Sequence, residues 1–159
     1  LRKEIHKDGF KEVRILDIMQ EVRNAGINIG GNYIFGLPMD TEQSLQATLD
    51  FALENKTEMT NMYCAMAYPG SPLHLTAKKK GWKLPDTYVG YSQHAYETLN
   101  LSNDNLTAKQ ILAFRDKAWM TYHTDQSYLK LLEDKFGAKA RKNVEKSTKI
   151  KLKRKLLGD

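Results

Sequence analysis

The chain has 159 residues, of which 41% are hydrophobic and 28% are charged, and this composition is typical of a soluble globular protein rather than a disordered one. No apolar run approaches the roughly 20 residues that a membrane-spanning helix needs, so we expect no membrane span. A single cysteine, Cys64, excludes an internal disulfide and a multi-cysteine metal site within this chain and agrees with a cytoplasmic location.

The first half of the sequence predicts helix, strand, helix, strand and helix in that order. The helices are predicted over residues 10–25, 40–54 and 72–80, and the strands over residues 27–35 and 61–67. Strands that alternate with helices at this spacing indicate βαβ units and a parallel sheet. Functional residues usually lie in the loops that follow such strands.

The second half predicts a different organisation. Residues 81–106 carry scattered aromatic and polar residues without a regular period, and a long amphipathic helix is predicted from Thr107 to Tyr122. Two further helices are predicted over residues 127–136, closed by Gly137, and over residues 138–157. The second half is therefore expected to be helical.

Positive charge is concentrated near the end of the chain. The formal net charge is +6, and lysines and arginines crowd residues 139–155. This charge allows nucleic acid or an anionic surface as a partner. The apolar residues Ile150, Leu152 and Leu156 between the lysines instead favour a solvated helix with an apolar stripe, so nucleic acid is not the favoured partner.

Two segments, each at the end of a predicted strand, resemble the same protein family. Residues 31–44, GNYIFGLPMDTEQS, resemble the fifth strand and following turn of radical S-adenosylmethionine (SAM) enzymes. Residues 68–73, YPGSPL, resemble the turn after the sixth strand, and the likeness is greatest to the group that carries a cobalamin-binding domain. The resemblance implies an α/β fold, a partial (half) parallel β/α barrel followed by an α-helical C-terminal extension. Residues 1–80 would form the barrel part, and residues 81–159 the aromatic linker and the helical extension with its basic tail.

The resemblance also implies which residues bind the cofactor. In this family a CxxxCxxC loop holds a [4Fe–4S] cluster that binds SAM, and the fifth strand lines the SAM pocket. The corresponding positions here are Asn32, Ile34 and Gly36, with Tyr68 in the second turn. Because Cys64 is the only cysteine in the chain, we expect no catalytic residue and no metal ligand here. The [4Fe–4S] cluster, and cobalamin if it is used, would be held by the remainder of the parent polypeptide.

The implied function is that of the SAM-pocket-lining, substrate-facing portion of a radical SAM enzyme. Its parent would be a cobalamin-dependent radical methyltransferase or a related radical enzyme, acting on a small molecule or on a lipid or glycan. Since the chain begins at Leu1 rather than Met, we expect a piece of a longer protein that is inactive alone.

Two alternatives remain open from the sequence. One is a tRNA methylthiotransferase-like radical SAM enzyme, although such proteins usually end in a small β-rich RNA-binding domain and the second half here is helical. The other is a non-catalytic basic module that binds RNA or a protein. Such a module would explain the missing cysteines, but not the presence of both pocket motifs in order.

Overall fold

The computed structural model describes residues 14–159, and the start of the first predicted helix lies outside that range. In chain order the elements are α1 (Ile15–Asn24), β1 (Gly30–Phe35), α2 (Glu42–Glu54), β2 (Met59–Cys64), α3 (Pro72–Lys80), α4 (Ala108–Thr124), α5 (Gln126–Phe136) and α6 (Ala138–Ser147). Two short 3-10 turns, at Tyr88–Tyr91 and Lys155–Leu157, lie in the otherwise irregular connections.

The two strands pair in parallel, as the βαβ pattern predicts. Gly30 lies opposite Met59 and Phe35 opposite Cys64, and helix α2 makes the connection between the strands. Their side chains alternate between two faces, as pleated strands require. One face is buried against helices α2 and α4, and the core there contains Phe35, Leu45, Leu49, Met62, Cys64, Ile111, Leu112 and Tyr122. The other face, which we call the open face, exposes Asn32, Ile34, Met59 and Asn61.

The expected half barrel is wrong. Residues 14–159 contain two strands, both in one small sheet, and six α-helices that make the structure mostly helical. The outer edge of β2 shows why the sheet stops there. Arg115 Nε donates to Met62 O at 2.8 Å, and the amide of Gln93 accepts from the Cys64 N–H at 3.0 Å and donates to Cys64 O at 2.9 Å. These side chains use the backbone groups that a further strand would need.

Helix α2 begins at Glu42, two residues after the start of the predicted range 40–54. Its N-cap is Thr41, whose hydroxyl accepts from the Ser44 N–H while the Ser44 hydroxyl accepts from the Thr41 N–H. The Asp40 carboxylate has a different role, because it accepts from the N–H groups of Gly36 and Leu37 at 2.9 and 2.8 Å. The Asp40 carboxylate therefore stabilises the turn after β1 through two backbone hydrogen bonds.

The long basic helix predicted over residues 138–157 is interrupted. Helix α6 ends at Ser147, and the chain then runs irregularly to the turn at Lys155–Leu157. Arg154 explains why the helix does not continue. Its side chain is fully buried and donates to Gln93 O at 2.9 Å and to Asp116 Oδ2 at 3.1 Å, and these contacts hold the backbone of the tail against the fold. Local helix propensity is a weak preference that such buried charge-assisted hydrogen bonds override.

Helices α4 and α5 are tied to the start of β2 by polar contacts. Tyr122 Oη accepts from the Thr57 N–H at 2.9 Å and donates to Thr57 O at 3.1 Å. The carboxylate of Glu58, itself buried, pairs with Lys135 of α5 and accepts from the Ile29 N–H at 2.8 Å. Among residues 14–159, no helix has both the length and the apolar character needed to cross a membrane.

Candidate functional site

A pocket of about 410 Å³ lies where both strands end. We call it the end-of-strand pocket. Its walls include Ile34 at the end of β1, Tyr63 and Met66 at the end of β2, and Tyr68 and Leu73 from the turn that leads into α3. The lining is mainly apolar, and its size falls in the ordinary range for small-molecule sites. In parallel α/β sheets ligands bind in this position, outside the carboxyl ends of the strands.

Two of the four predicted site residues meet in this pocket. Ile34 and Tyr68 both line it, and about half of each side chain is exposed. The Tyr68 ring stacks on Tyr91, with ring centroids 5.9 Å apart and an interplanar angle of 30°. Ile34 and Tyr68 are therefore apolar surfaces from distant parts of the sequence, and each presents area on which a flat ring can pack, while the buried Tyr91 supports the Tyr68 ring.

Asn32 lies on the open face of β1, beside the pocket rather than in its lining. Its side-chain oxygen accepts from Asn61 Nδ2 of β2 at 3.1 Å. An amide pair of this kind, exposed on a sheet face, still offers one Asn32 donor group and one Asn61 acceptor to a polar ligand.

Gly36 is held in place by packing rather than by the pocket. Its φ of +85° is in the left-handed region that glycine adopts readily, and a Cβ added there would lie 2.6 Å from Cγ2 of Ile111. Its N–H is already bonded to Asp40 Oδ2. The close neighbour that requires glycine at this position is therefore helix α4, a contact that the strand pattern alone could not indicate.

The loop after β1 is fixed by a set of asparagines from the second half of the chain. Asn103 Nδ2 donates to Leu37 O at 2.8 Å and to Asp40 O at 3.0 Å, while Asn105 Nδ2 donates to Asp40 O at 3.1 Å. Together with the Asp40 carboxylate, these bonds occupy the polar backbone groups of the turn. The turn is therefore a rigid wall of the site rather than a free phosphate-binding loop.

Gln93 is a residue of this site that sequence reasoning missed. It lines the pocket, and its amide forms the two hydrogen bonds to Cys64 described above. Nothing in the irregular segment 81–106 distinguishes Gln93 from its neighbours, because the signal is a backbone edge that becomes visible only once β2 is placed.

Cys64 is buried, as expected for a small apolar residue in a strand. Burial raises the pKa of its thiol to about 12, despite the opposing charge of the nearby Arg115 guanidinium. A thiol in this state is a poor metal ligand, and residues 14–159 contain no group of three or more His, Cys, Asp or Glu side chains arranged to hold a metal ion. The residues described here do not fit an iron–sulfur cluster.

Comparison with known proteins gives one partial relative. No family model matches the chain. Over 93 residues, 56% of the chain, it is 29% identical to the bacteriochlorophyllide d C-12(1)-methyltransferase of Chlorobaculum tepidum, of which the match covers 20%. The chain is thus similar to a methyltransferase over somewhat more than half of its length. It spans only about one fifth of that relative.

Proposed function

We propose that this chain is part of a radical SAM methyltransferase and that the end-of-strand pocket receives the adenosine part of SAM. Two kinds of observation support this. The partial relative is a methyltransferase, and both segments that resemble the radical SAM family contribute to one pocket. The joint placement of Ile34 and Tyr68 carries the proposal, since these residues come from the two separate segments.

The residues of the pocket suit an adenosine moiety. Ile34 and Tyr68 offer apolar and aromatic surface for a purine ring, and the Asn32–Asn61 pair on the open face offers amide groups for polar atoms. SAM supplies either a methyl group or, on reduction, a radical. We place these reaction steps outside this chain, in the remainder of the parent polypeptide, which would hold the [4Fe–4S] cluster and any cobalamin. The parent's substrate would be a small molecule or a lipid or glycan.

SAM binding to the chain itself tests the proposal. We expect saturable binding of SAM, followed by NMR or isothermal titration calorimetry, and we expect adenosine to compete with it. Ile34→Asp should weaken binding by roughly tenfold or more, because a carboxylate replaces apolar contact with the ring. Ile18→Asp is the matched control, since Ile18 in α1 is 47% exposed, as Ile34 is, but lies outside the pocket lining.

Three results would contradict the proposal. They are the absence of saturable SAM binding, binding that adenosine does not displace, and equal weakening by Ile34→Asp and Ile18→Asp. Circular dichroism of both variants confirms that each remains folded, so that a loss at Ile34 is assigned to the pocket.

A further inference from the structure

A second cavity, of about 430 Å³, shares no lining residue with the end-of-strand pocket. We call it the α4–tail cleft. Helix α4 provides one wall with Trp119 and Met120, and the irregular segment after α6 provides the other with Ile150 and Leu152. These walls are apolar. Charged groups form what we call the base, namely Arg115 and Asp116 of the lining together with the buried Arg154 that is bonded to Asp116. That combination is typical of small-molecule sites.

The base contains more positive than negative charge. Arg154 is fully buried, and its Nε and Nη2 donate to the two carboxylate oxygens of Asp116 at 3.1 and 3.2 Å. Arg115 Nη1 donates to the same carboxylate at 2.7 Å. Two guanidinium groups therefore share one carboxylate. Lys151, which also lines the cleft, forms an ion pair with Asp159 at 2.5 Å, and the charges of these two side chains cancel. Counting side chains, the base retains one positive charge.

His94 adds no charge at neutral pH. Its side chain also lines the cleft, and burial, followed by the charges of Arg115 and Arg154, lowers its pKa. The imidazole is therefore neutral near pH 7, and one ring nitrogen can donate a hydrogen bond to a ligand. The excess positive charge belongs to the guanidinium groups alone.

Arg115 lines the cleft and has a donor nitrogen that its other contacts leave available. The residue is only 5% exposed, its Nε is bonded to Met62 O and its Nη1 to Asp116. Its third nitrogen, Nη2, donates to no residue between 14 and 159. A ligand in the cleft can therefore accept a hydrogen bond from this guanidinium group.

We propose that the α4–tail cleft binds an organic monocarboxylate that carries an apolar ring or short apolar chain. The ligand's carboxylate accepts hydrogen bonds from Arg115 Nη2 and from His94. Its negative charge offsets the excess positive charge of the guanidinium groups. Guanidinium groups match carboxylates in geometry as well as charge. The apolar part packs between Trp119 and the exposed side chain of Ile150. This site does not depend on the SAM proposal, because it uses different residues and a different ligand class.

Titration with 4-phenylbutyrate, followed by NMR shifts of the His94 and Trp119 side chains, tests the site. We expect saturable binding with a dissociation constant below about 1 mM. The uncharged 4-phenylbutyramide has nearly the same shape, and we expect it to bind at least about tenfold more weakly because it lacks the charge-assisted hydrogen bonds.

Two variants locate the binding. Ile150→Asp places a carboxylate at the wall of the cleft and should weaken 4-phenylbutyrate binding by about tenfold or more through repulsion and lost apolar contact. Leu75→Asp is its control, because Leu75 is similarly exposed, 59% against 67%, but lies on α3 outside the cleft. Both positions are on the surface, so both variants are expected to fold.

The expected pattern is binding of the acid, weaker binding of the amide, and loss with Ile150→Asp alone. Any of three outcomes overturns the proposal. These are the absence of saturable acid binding, acid and amide binding within about twofold of each other, and equal effects of Ile150→Asp and Leu75→Asp.

Discussion

Removing a single oxygen atom should show how much helix α4 contributes to holding the sheet. The Tyr122 side chain is fully buried, and its hydroxyl bonds both the N–H and the carbonyl of Thr57, just before β2. The Tyr122→Phe variant keeps the ring and its contacts with the core but deletes both hydrogen bonds. Thr57 is itself buried, so its backbone groups would be left without partners.

The expected loss follows from those two groups. A buried backbone donor or acceptor that loses its partner costs about 1–3 kcal/mol. Both groups belong to Thr57, so a local shift of this residue can relieve part of both costs, and we expect less than the sum of two full penalties. We therefore expect Tyr122→Phe to lower the free energy of unfolding by about 2–3 kcal/mol. Small domains have only about 5–15 kcal/mol in total, so the change is large enough to measure clearly.

Tyr128→Phe is the matched control. Tyr128 packs against Tyr122 with ring centroids 4.6 Å apart and is also buried, but its hydroxyl makes no hydrogen bond within residues 14–159. Urea unfolding followed by circular dichroism gives the free energy of unfolding for each variant. We expect Tyr128→Phe to stay within about 0.5 kcal/mol of the parent chain. A similarly small change for Tyr122→Phe, or equal losses for the two variants, would refute the assigned role of the Tyr122 hydroxyl.

Three further predictions concern the packing and charge of the fold. Gly36→Ala should destabilise the chain by about 2–4 kcal/mol, because alanine is strained at positive φ and its Cβ would collide with Ile111. In urea unfolding this loss should be smaller in an Ile111→Ala background, because that change removes Cγ2, the atom nearest to the added Cβ; an unchanged loss would contradict the contact. Gln93→Ala should lower the free energy of unfolding by about 1–2 kcal/mol and accelerate exchange of the Cys64 amide hydrogen, since the outer edge of β2 loses its partner. Unchanged exchange would argue against the two hydrogen bonds between the Gln93 amide and Cys64. Burial raises the pKa of Glu58, but hydrogen bonds from Lys135 and from the Ile29 N–H leave it below its ordinary value. The contribution of Glu58 is therefore present above its unfolded pKa of about 4.3 and is lost as the pH falls through its lower folded pKa; Lys135→Met should flatten this acid loss in unfolding experiments, and an unchanged slope would exclude the pair as its source.

The sequence predicts local elements well where the signal is local. The sequence predicts a helix over Pro72–Lys80 because a proline favours the first helical position, and the structure has α3 with these bounds. The helix predicted from Thr107 is α4, which begins at Ala108 with Thr107 as its N-cap; the structure adds the capping-box partner Gln110. The two segments that resemble the radical SAM family, residues 31–44 and 68–73, also meet in one pocket through Ile34 and Tyr68, as expected near the ends of parallel strands.

Predictions failed where distant groups decide the structure. The half barrel was expected because the family resemblance was extended beyond the two strands that the sequence itself supports. The basic tail was predicted as one helix because lysines and leucines favour helices, yet Arg154 leaves that course to reach acceptors from residues 93–98 and from Asp116. A buried arginine cannot be recognised from its neighbours in the sequence, since exposed arginines in basic helices have the same pattern.

The open face of the sheet has no covering helix within residues 14–159. Parallel sheets are normally covered on both faces, but here α2 and α4 cover one, while Asn32, Ile34 and Met59 are exposed on the other. Exposed apolar area of this kind often marks a surface that contacts another group. If the chain is part of a larger enzyme, as we propose, a cofactor or further parts of that enzyme would cover this face. Ile34 belongs both to the open face and to the lining of the end-of-strand pocket, so the proposed function would account for both features.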